Sequence, residues 1–268
     1  MVRVGLVGCG TIGSRLAVAL ERRYGRHARL IALHDVHRAN AARLQRRLSS
    51  RPPLVSLPVL IRRSDCVLEA ASAGIAGEVA WRALRAHRHA LIMSVGGLLL
   101  DPRWRRALPR TRGTLHVPSG ALAGLDGIKA MAAGRLTRVT LTTRKPPRAL
   151  ADAPYVKRRR LSLARLRRPA LIFEGSARQA IAAFPQNTNV AAALALAAGR
   201  RGPSLRVRVV ADPALRRNVH EIVVEGDGGR IACAIESRPS ANPKTSELAV
   251  RSAIVTLDRL FGRVHIGT

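Results

Sequence analysis

A chain of 268 residues with 47% apolar content is long enough for one large or two modest domains with a real core, which excludes a disordered chain. The formal charge is +31, but the 47 Lys and Arg are spread along the chain, four of them lysine, and aromatic residues make up only 3%, which argues against a nucleic-acid module built on stacking. Cys9, Cys66 and Cys233 lie far apart in no metal-ligand or CxxC spacing, pointing to a reducing cytoplasm without a disulfide framework or zinc site, and the apolar run from Ala90 to Leu100 is too short to span a bilayer.

Val2, Val4, Leu6 and Val7 predict a first strand that leaves no room for a signal peptide. Gly8-x-Gly10-x-x-Gly13 follows and opens a helix to Tyr24, with Leu16, Ala17, Ala19 and Leu20 at helical spacing. Such a turn needs Gly8 for its backbone, Gly10 so that a pyrophosphate can approach the main chain, and Gly13 for close packing of helix on strand. The N–H groups at Thr11 and Ile12, at the positive end of the helix dipole, then face that pyrophosphate. A second strand, Leu30 to His34, ends at Asp35, about 20 residues past the third glycine, where a carboxylate binds the adenosine ribose and repels a 2′-phosphate. Arg38 is close enough in sequence to reach such a phosphate, so NAD and NADP both stay open.

Asn40–Ser49 reads as an exposed helix ended by Pro52-Pro53, Leu57–Ile61 as a short strand, Cys66–Ser72 as a strand, and Ala76–Ala86 as a helix. Ala90–Val95 reads as a strand ended by Gly96-Gly97, and Thr114–Val117 as another stopped by Pro118. This alternation predicts a Rossmann-type, doubly wound parallel sheet over residues 1–118, with Ala71, Ser72, Ser94 and Gly96 at its ligand-side rim.

Beyond Pro118 the texture changes. A small-residue stretch from Ser119 to Gly127 leads into a short helix ending near Ala133. Arg138–Arg144 reads as a strand ending in Lys145-Pro146-Pro147. Lys157 to Arg168 is a basic run read as a solvated face. Leu171–Gly175 predicts a strand leading into a helix from Ser176, and Asn189 an N-cap for the helix Val190–Ala198. Leu205–Ala211, His220–Glu225 and Arg230–Glu236 predict strands, the last two joined as a hairpin through Asp227-Gly228-Gly229. The second domain, 119–242, is thus an α+β unit with a mostly antiparallel sheet, and the C-terminal helix within 243–268 folds back on the first.

Several stretches together resemble the L-aspartate dehydrogenase family. They are Gly8–Gly13, Pro118–Asp126, Thr143-Arg144-Lys145-Pro146-Pro147, Phe173–Ala177, Phe184–Ala192, Asp212-Pro213 with Asn218-Val219-His220-Glu221, and Asn242–Ser246. The resemblance implies a homodimer of two-domain subunits oxidising L-aspartate with NAD or NADP to iminoaspartate, which hydrolyses to oxaloacetate and ammonia, in service of pyridine nucleotide biosynthesis. It implies that His220 is catalytic, that Ala123 and Asn189 contact the cofactor, and that 119–242 is the catalytic and dimerisation domain. The charge of +31 departs from the family.

The chemistry gives these positions a reason. Hydride leaves Cα once the amine is neutral, and a histidine takes that proton near neutral pH. Asn218 is placed to orient His220. Two substrate carboxylates call for a cation and donors, which Lys244, Thr245 and Ser246 supply at a helix start, with Lys145 as second choice. Asp126 and Glu174 read as structural acids balancing arginine. Two alternatives share the architecture: a reductase of a cyclic imine or oxo acid, and a non-catalytic dinucleotide-binding regulator.

Overall fold

A computed structural model describes residues 1–185, 189–199, 203–238, 246–264 and 266. The chain divides into two compact units, Met1–Pro118 with Val250–Ile266, and Ser119–Ala249.

In the first unit the strands are β1 (Val2–Val7), β2 (Ala28–His34), β3 (Cys66–Glu69), β4 (His89–Ile92) and β5 (Leu115–His116). They form one sheet in the order β2-β1-β3-β4-β5, with every ladder parallel. The connections are helical: α1 (Thr11–Tyr24), α2 (Arg38–Arg47), α3 (Leu57–Arg63), α4 (Ala73–Arg85), α5 (Gly96–Leu100) and α6 (Trp104–Ala107). Helix α1 buries Gly13, Leu16, Ala17 and Leu20, one stripe at helical spacing, against Val4, Leu6, Leu30 and Leu68 of the sheet. Each such leucine removed from water contributes about 2 kcal/mol before entropy is counted.

Two segments depart from the sequence reading. Leu57–Ile61 is not a strand but most of α3: Leu57, Leu60 and Ile61 are buried at i, i+3 and i+4, and Pro58 sits in the first turn, where its missing N–H costs nothing. Gly96-Gly97 ends no strand by itself, since β4 stops at Ile92 and both glycines lie in α5. Gly97 packs so tightly that a Cβ would come 2.3 Å from the Ala73 carbonyl oxygen.

The second unit holds β6 (Leu136–Lys145), β7 (Ala170–Ser176), β8 (Arg206–Ala211), β9 (Asn218–Gly226) and β10 (Gly229–Ser237), in the order β10-β9-β6-β8-β7. Three ladders are antiparallel, while β6 and β8 run parallel, so the sheet is mixed and mostly antiparallel. Its helices are α7 (Leu125–Ala132), α8 (Pro154–Arg158), α9 (Ala177–Ala183) and α10 (Asn189–Ala197). Alternate residues of the strands, among them Leu141, Val207, Val209, Ile222 and Val224, are buried as period-2 patterning demands. Helix α9 starts in a capping box, Ser176 accepting from the Gln179 N–H while the Gln179 side chain accepts from the Ser176 N–H. Helix α10 includes Asn189 as its first residue, so Asn189 begins the helix instead of preceding it.

The last helix, α11 (Glu247–Phe261), buries Val250, Ala253 and Leu257 completely, and the last two join the core of the parallel-sheet unit. The Tyr24 hydroxyl donates to Asp258, fixing α11 to α1.

Candidate active site and cofactor cradle

The first unit holds the glycine turn between β1 and α1. Gly8 has φ +91°, and a Cβ there would stand 2.5 Å from the Ala71 nitrogen. A Cβ at Gly13 would lie 1.9 Å from the Gly8 carbonyl oxygen, so helix and turn touch backbone to backbone. Gly10 differs: no atom lies within 4 Å of where its Cβ would be. That open space lies at the start of α1, whose first turn has no side-chain cap and begins with Thr11 and Ile12, so its N–H groups are donors for an anion. Asp35 stands beside this turn: Oδ2 accepts from the Cys9 N–H at 2.7 Å, and Oδ1 from the His37 N–H at 2.8 Å. These features fit a dinucleotide. Burial pushes the Cys9 thiol up to about 12, with Asp35 adding to the effect, so this cysteine stays protonated and inert within the turn. Ala71 and Ser72 are exposed beyond the end of β3.

The second unit holds a cluster of buried polar side chains. His220 lies on β9 directly opposite Thr143 on β6, the central strand, and Lys145 follows on the same face two residues on. All three are buried. Thr143 Oγ1 and His220 Nδ1 share a hydrogen bond of 3.1 Å, which fixes the ring and leaves Nε2 as its other nitrogen. Burial, reinforced by the charge of Lys145, pushes His220 down to about 4, so the imidazole is neutral at pH 7. Burial alone pushes Lys145 down to about 8. A small cavity next to Thr143 and Lys145 is walled by Leu141, Ala180, Phe184 and Ala191.

Thr143 stands in the sequence as a strand position and as the first residue of Thr143-Arg144-Lys145-Pro146-Pro147, where neither pattern gives it a role. Its signal is the strand pairing, which sets positions 143 and 220 opposite each other. Asn218, expected to orient His220, sits opposite Ser237, and no hydrogen bond joins it to His220. Ala123 is exposed just before α7, its carbonyl accepting from Cys233 Sγ at 3.7 Å, and Asn189 is exposed at the start of α10; α7 and α10 pack on each other. Lys244 and Thr245 lie outside the described residues. Ser246 is described, and its Oγ accepts from the Ala249 N–H, so it caps α11. Glu174 pairs with Arg206 and Arg208 on β8.

Comparison with known proteins bears on both units. A family model described as the NAD-binding domain of homoserine dehydrogenase matches residues 8–116, and one described as the C-terminal domain of aspartate dehydrogenase matches residues 126–260. An L-aspartate dehydrogenase of Methanosarcina barkeri is 41% identical over 273 residues, covering all of both chains. L-aspartate dehydrogenase 3 of Bordetella bronchiseptica is 37% identical over 99% of this chain and 97% of its own. The crystal structure of aspartate dehydrogenase from Thermotoga maritima superposes with a TM-score of 0.75 at 25% identity over the whole of both chains. With agreement from end to end in sequence and in fold, this chain belongs to the L-aspartate dehydrogenase family.

Proposed function

We propose that the protein oxidises L-aspartate with a nicotinamide dinucleotide, giving iminoaspartate that hydrolyses to oxaloacetate and ammonia. The observation that carries this reading is the buried His220–Thr143 pair with Lys145 beside it, on the central strands of a sheet matched by the aspartate dehydrogenase C-terminal model. Gly8, Gly10, Gly13, Thr11 and Ile12 hold the pyrophosphate, Asp35 the ribose, and Ala71, Ser72, Ala123 and Asn189 line the remainder of the cofactor. When bound, the nicotinamide supplies the acceptor for the hydride leaving Cα.

The residues of the chain do the rest. Lys145, as an ammonium, fixes one substrate carboxylate, with Lys244, Thr245 and Ser246 as further donors. Neutral His220 takes a proton from the substrate ammonium through Nε2. The arriving dicarboxylate brings negative charge into a buried site, which raises the proton affinity of His220 when it must accept. The resulting imidazolium then serves as the acid partner when water adds to the imine. Asp35, with both oxygens accepting from backbone N–H groups beside the glycine turn, stands where a 2′-phosphate would be repelled, so NAD is the preferred cofactor over NADP. The active form is a homodimer in the reducing cytoplasm, and its iminoaspartate feeds pyridine nucleotide synthesis.

The deciding experiment is the initial rate of nicotinamide reduction with L-aspartate, beside L-glutamate, L-alanine and L-malate, with NAD and with NADP. A rate confined to L-aspartate, greater with NAD, and lowered about 10²–10⁴-fold in His220→Ala is expected. No rate above blank in a protein that binds the cofactor would sink the reading.

A further inference from the structure

Glu69 is a carboxylate that the chemistry above does not use, yet it is fully buried at the end of β3, the central strand of the parallel sheet. Burying a carboxylate is costly unless its lone pairs are met by donors. Here they are met by neutral groups from two loops. Oε1 accepts from the Ala71 N–H at 2.8 Å and from the Ser94 hydroxyl at 2.8 Å, and Oε2 accepts from the Ser94 N–H at 3.0 Å. Ala71 and Ser72 lead into α4, whose first residue is Ala73, while Ser94 lies just before α5 at Gly96. One side chain therefore ties the starts of two helices together at the edge of the sheet where open α/β folds bind ligands.

The glycine turn rests on this assembly. The closest neighbours of a Cβ at Gly8 would be Ala70 C and Ala71 N, both at 2.5 Å, and Gly13 in turn presses on the Gly8 carbonyl. A shift of the Ala70–Ala71 peptide thus moves the turn and the first N–H groups of α1 with it.

We propose that Glu69 is a positioning residue for the dinucleotide: by fixing Ala71 and Ser94 it sets the backbone against which the phosphate turn packs. The proposal rests on cofactor binding by that turn. A glutamine at this position would turn an amide NH₂ toward N–H donors and leave at least one of them unpaired.

The test compares wild type, Glu69→Gln, Ser94→Ala and Leu84→Ala, the last a fully buried residue in the final turn of α4 that serves as a control for lost stability. NADH affinity is measured by fluorescence titration, and kinetics at a temperature where circular dichroism shows each variant folded. For Glu69→Gln the NADH Kd and the KM for NAD rise together by about tenfold, while the KM for L-aspartate stays within about twofold. Ser94→Ala moves in the same direction by a smaller factor, and decides the matter if Glu69→Gln does not fold. Leu84→Ala lowers the melting temperature but leaves NADH affinity unchanged. Unchanged NADH affinity in the folded variants, or a rise matched by Leu84→Ala, overturns the proposal. If wild type itself fails to bind NADH, the cofactor reading falls and the proposal with it.

Discussion

At the scale of single residues, the buried pair His220 and Lys145 sets opposite requirements on protonation. In the proposed reaction the imidazole must be neutral to accept a proton, and the ammonium must be charged to hold a carboxylate. Because His220 is pushed down to about 4, its neutral form persists as pH falls well below the ~6.5 of an unperturbed histidine. Because Lys145 is pushed down to about 8, its charge is lost early as pH rises. The profile of kcat/KM for L-aspartate, which reports the free enzyme, is therefore a bell with its acid limb near 4 and its alkaline limb near 8. Lys145→Arg moves the alkaline limb upward, since a guanidinium does not deprotonate in this range; an unmoved limb would assign that ionisation elsewhere. The same shift weakens the fold in acid. Between ~6.5 and about 4 the unfolded chain binds a proton that native His220 refuses, so stability falls as pH drops through that window. Of these residues, His220 and Lys145 were legible from their motifs. Thr143 and Glu69 were not, because what singles them out is partnership across strands: Thr143 bonds a residue 77 positions away and Glu69 one 25 positions away. The motif Thr143–Pro147 marks the position of Thr143 but not its partner, and nothing in the local sequence of Glu69 announces a role.

At the scale of elements, most strands and helices were legible because their apolar periods are clean, as in α1 and in the alternation along β6 and β9. The failure at α3 has a physical cause. In Leu-Pro-Val-Leu-Ile a short apolar run satisfies strand and helix alike, and the arbiter is burial on one side at positions 57, 60 and 61, which tertiary packing decides. The glycine turn shows what motif reading leaves unresolved, because its three glycines are equal in the pattern and unequal in space. At Gly13 an added methyl meets the Gly8 carbonyl at 1.9 Å, so Gly13→Ala must separate α1 from β1 and lower the melting temperature. At Gly10 a methyl meets no protein atom within 4 Å, and φ is −73°, which alanine adopts freely. Gly10→Ala is thus expected to melt within a degree or so of wild type yet bind NADH at least about tenfold more weakly, a loss of about 1.4 kcal/mol, because the methyl fills the approach to the helix N-terminus. Equal melting temperatures for the two variants, or undiminished NADH binding by Gly10→Ala, would contradict this division of labour.

At the scale of the whole molecule the charge governs. With 47 cationic residues against 16 acids, carboxylates are scarce, and the ion pairs show it: Asp65 serves both Arg3 and Arg88, Glu174 both Arg206 and Arg208, and Glu225 both Arg138 and Arg230. These pairs are largely solvent-exposed, where each is worth at most about 1 kcal/mol. The balance of surface electrostatics is therefore repulsion, both within a subunit and between the two subunits of +31 that the proposed dimer would bring together. Salt screens that repulsion, since the Debye length falls from about 10 Å at 0.1 M to about 3 Å at 1 M. Raising NaCl across this range is accordingly expected to raise the melting temperature by a few degrees and to strengthen self-association, read by calorimetry and by light scattering at fixed protein concentration. Were attraction between exposed pairs the larger effect, both quantities would fall with salt. A dimer that weakens while the melting temperature rises would instead locate complementary charge at the subunit contact, and a mass that stays monomeric at every salt concentration would remove the dimer from the proposed active form.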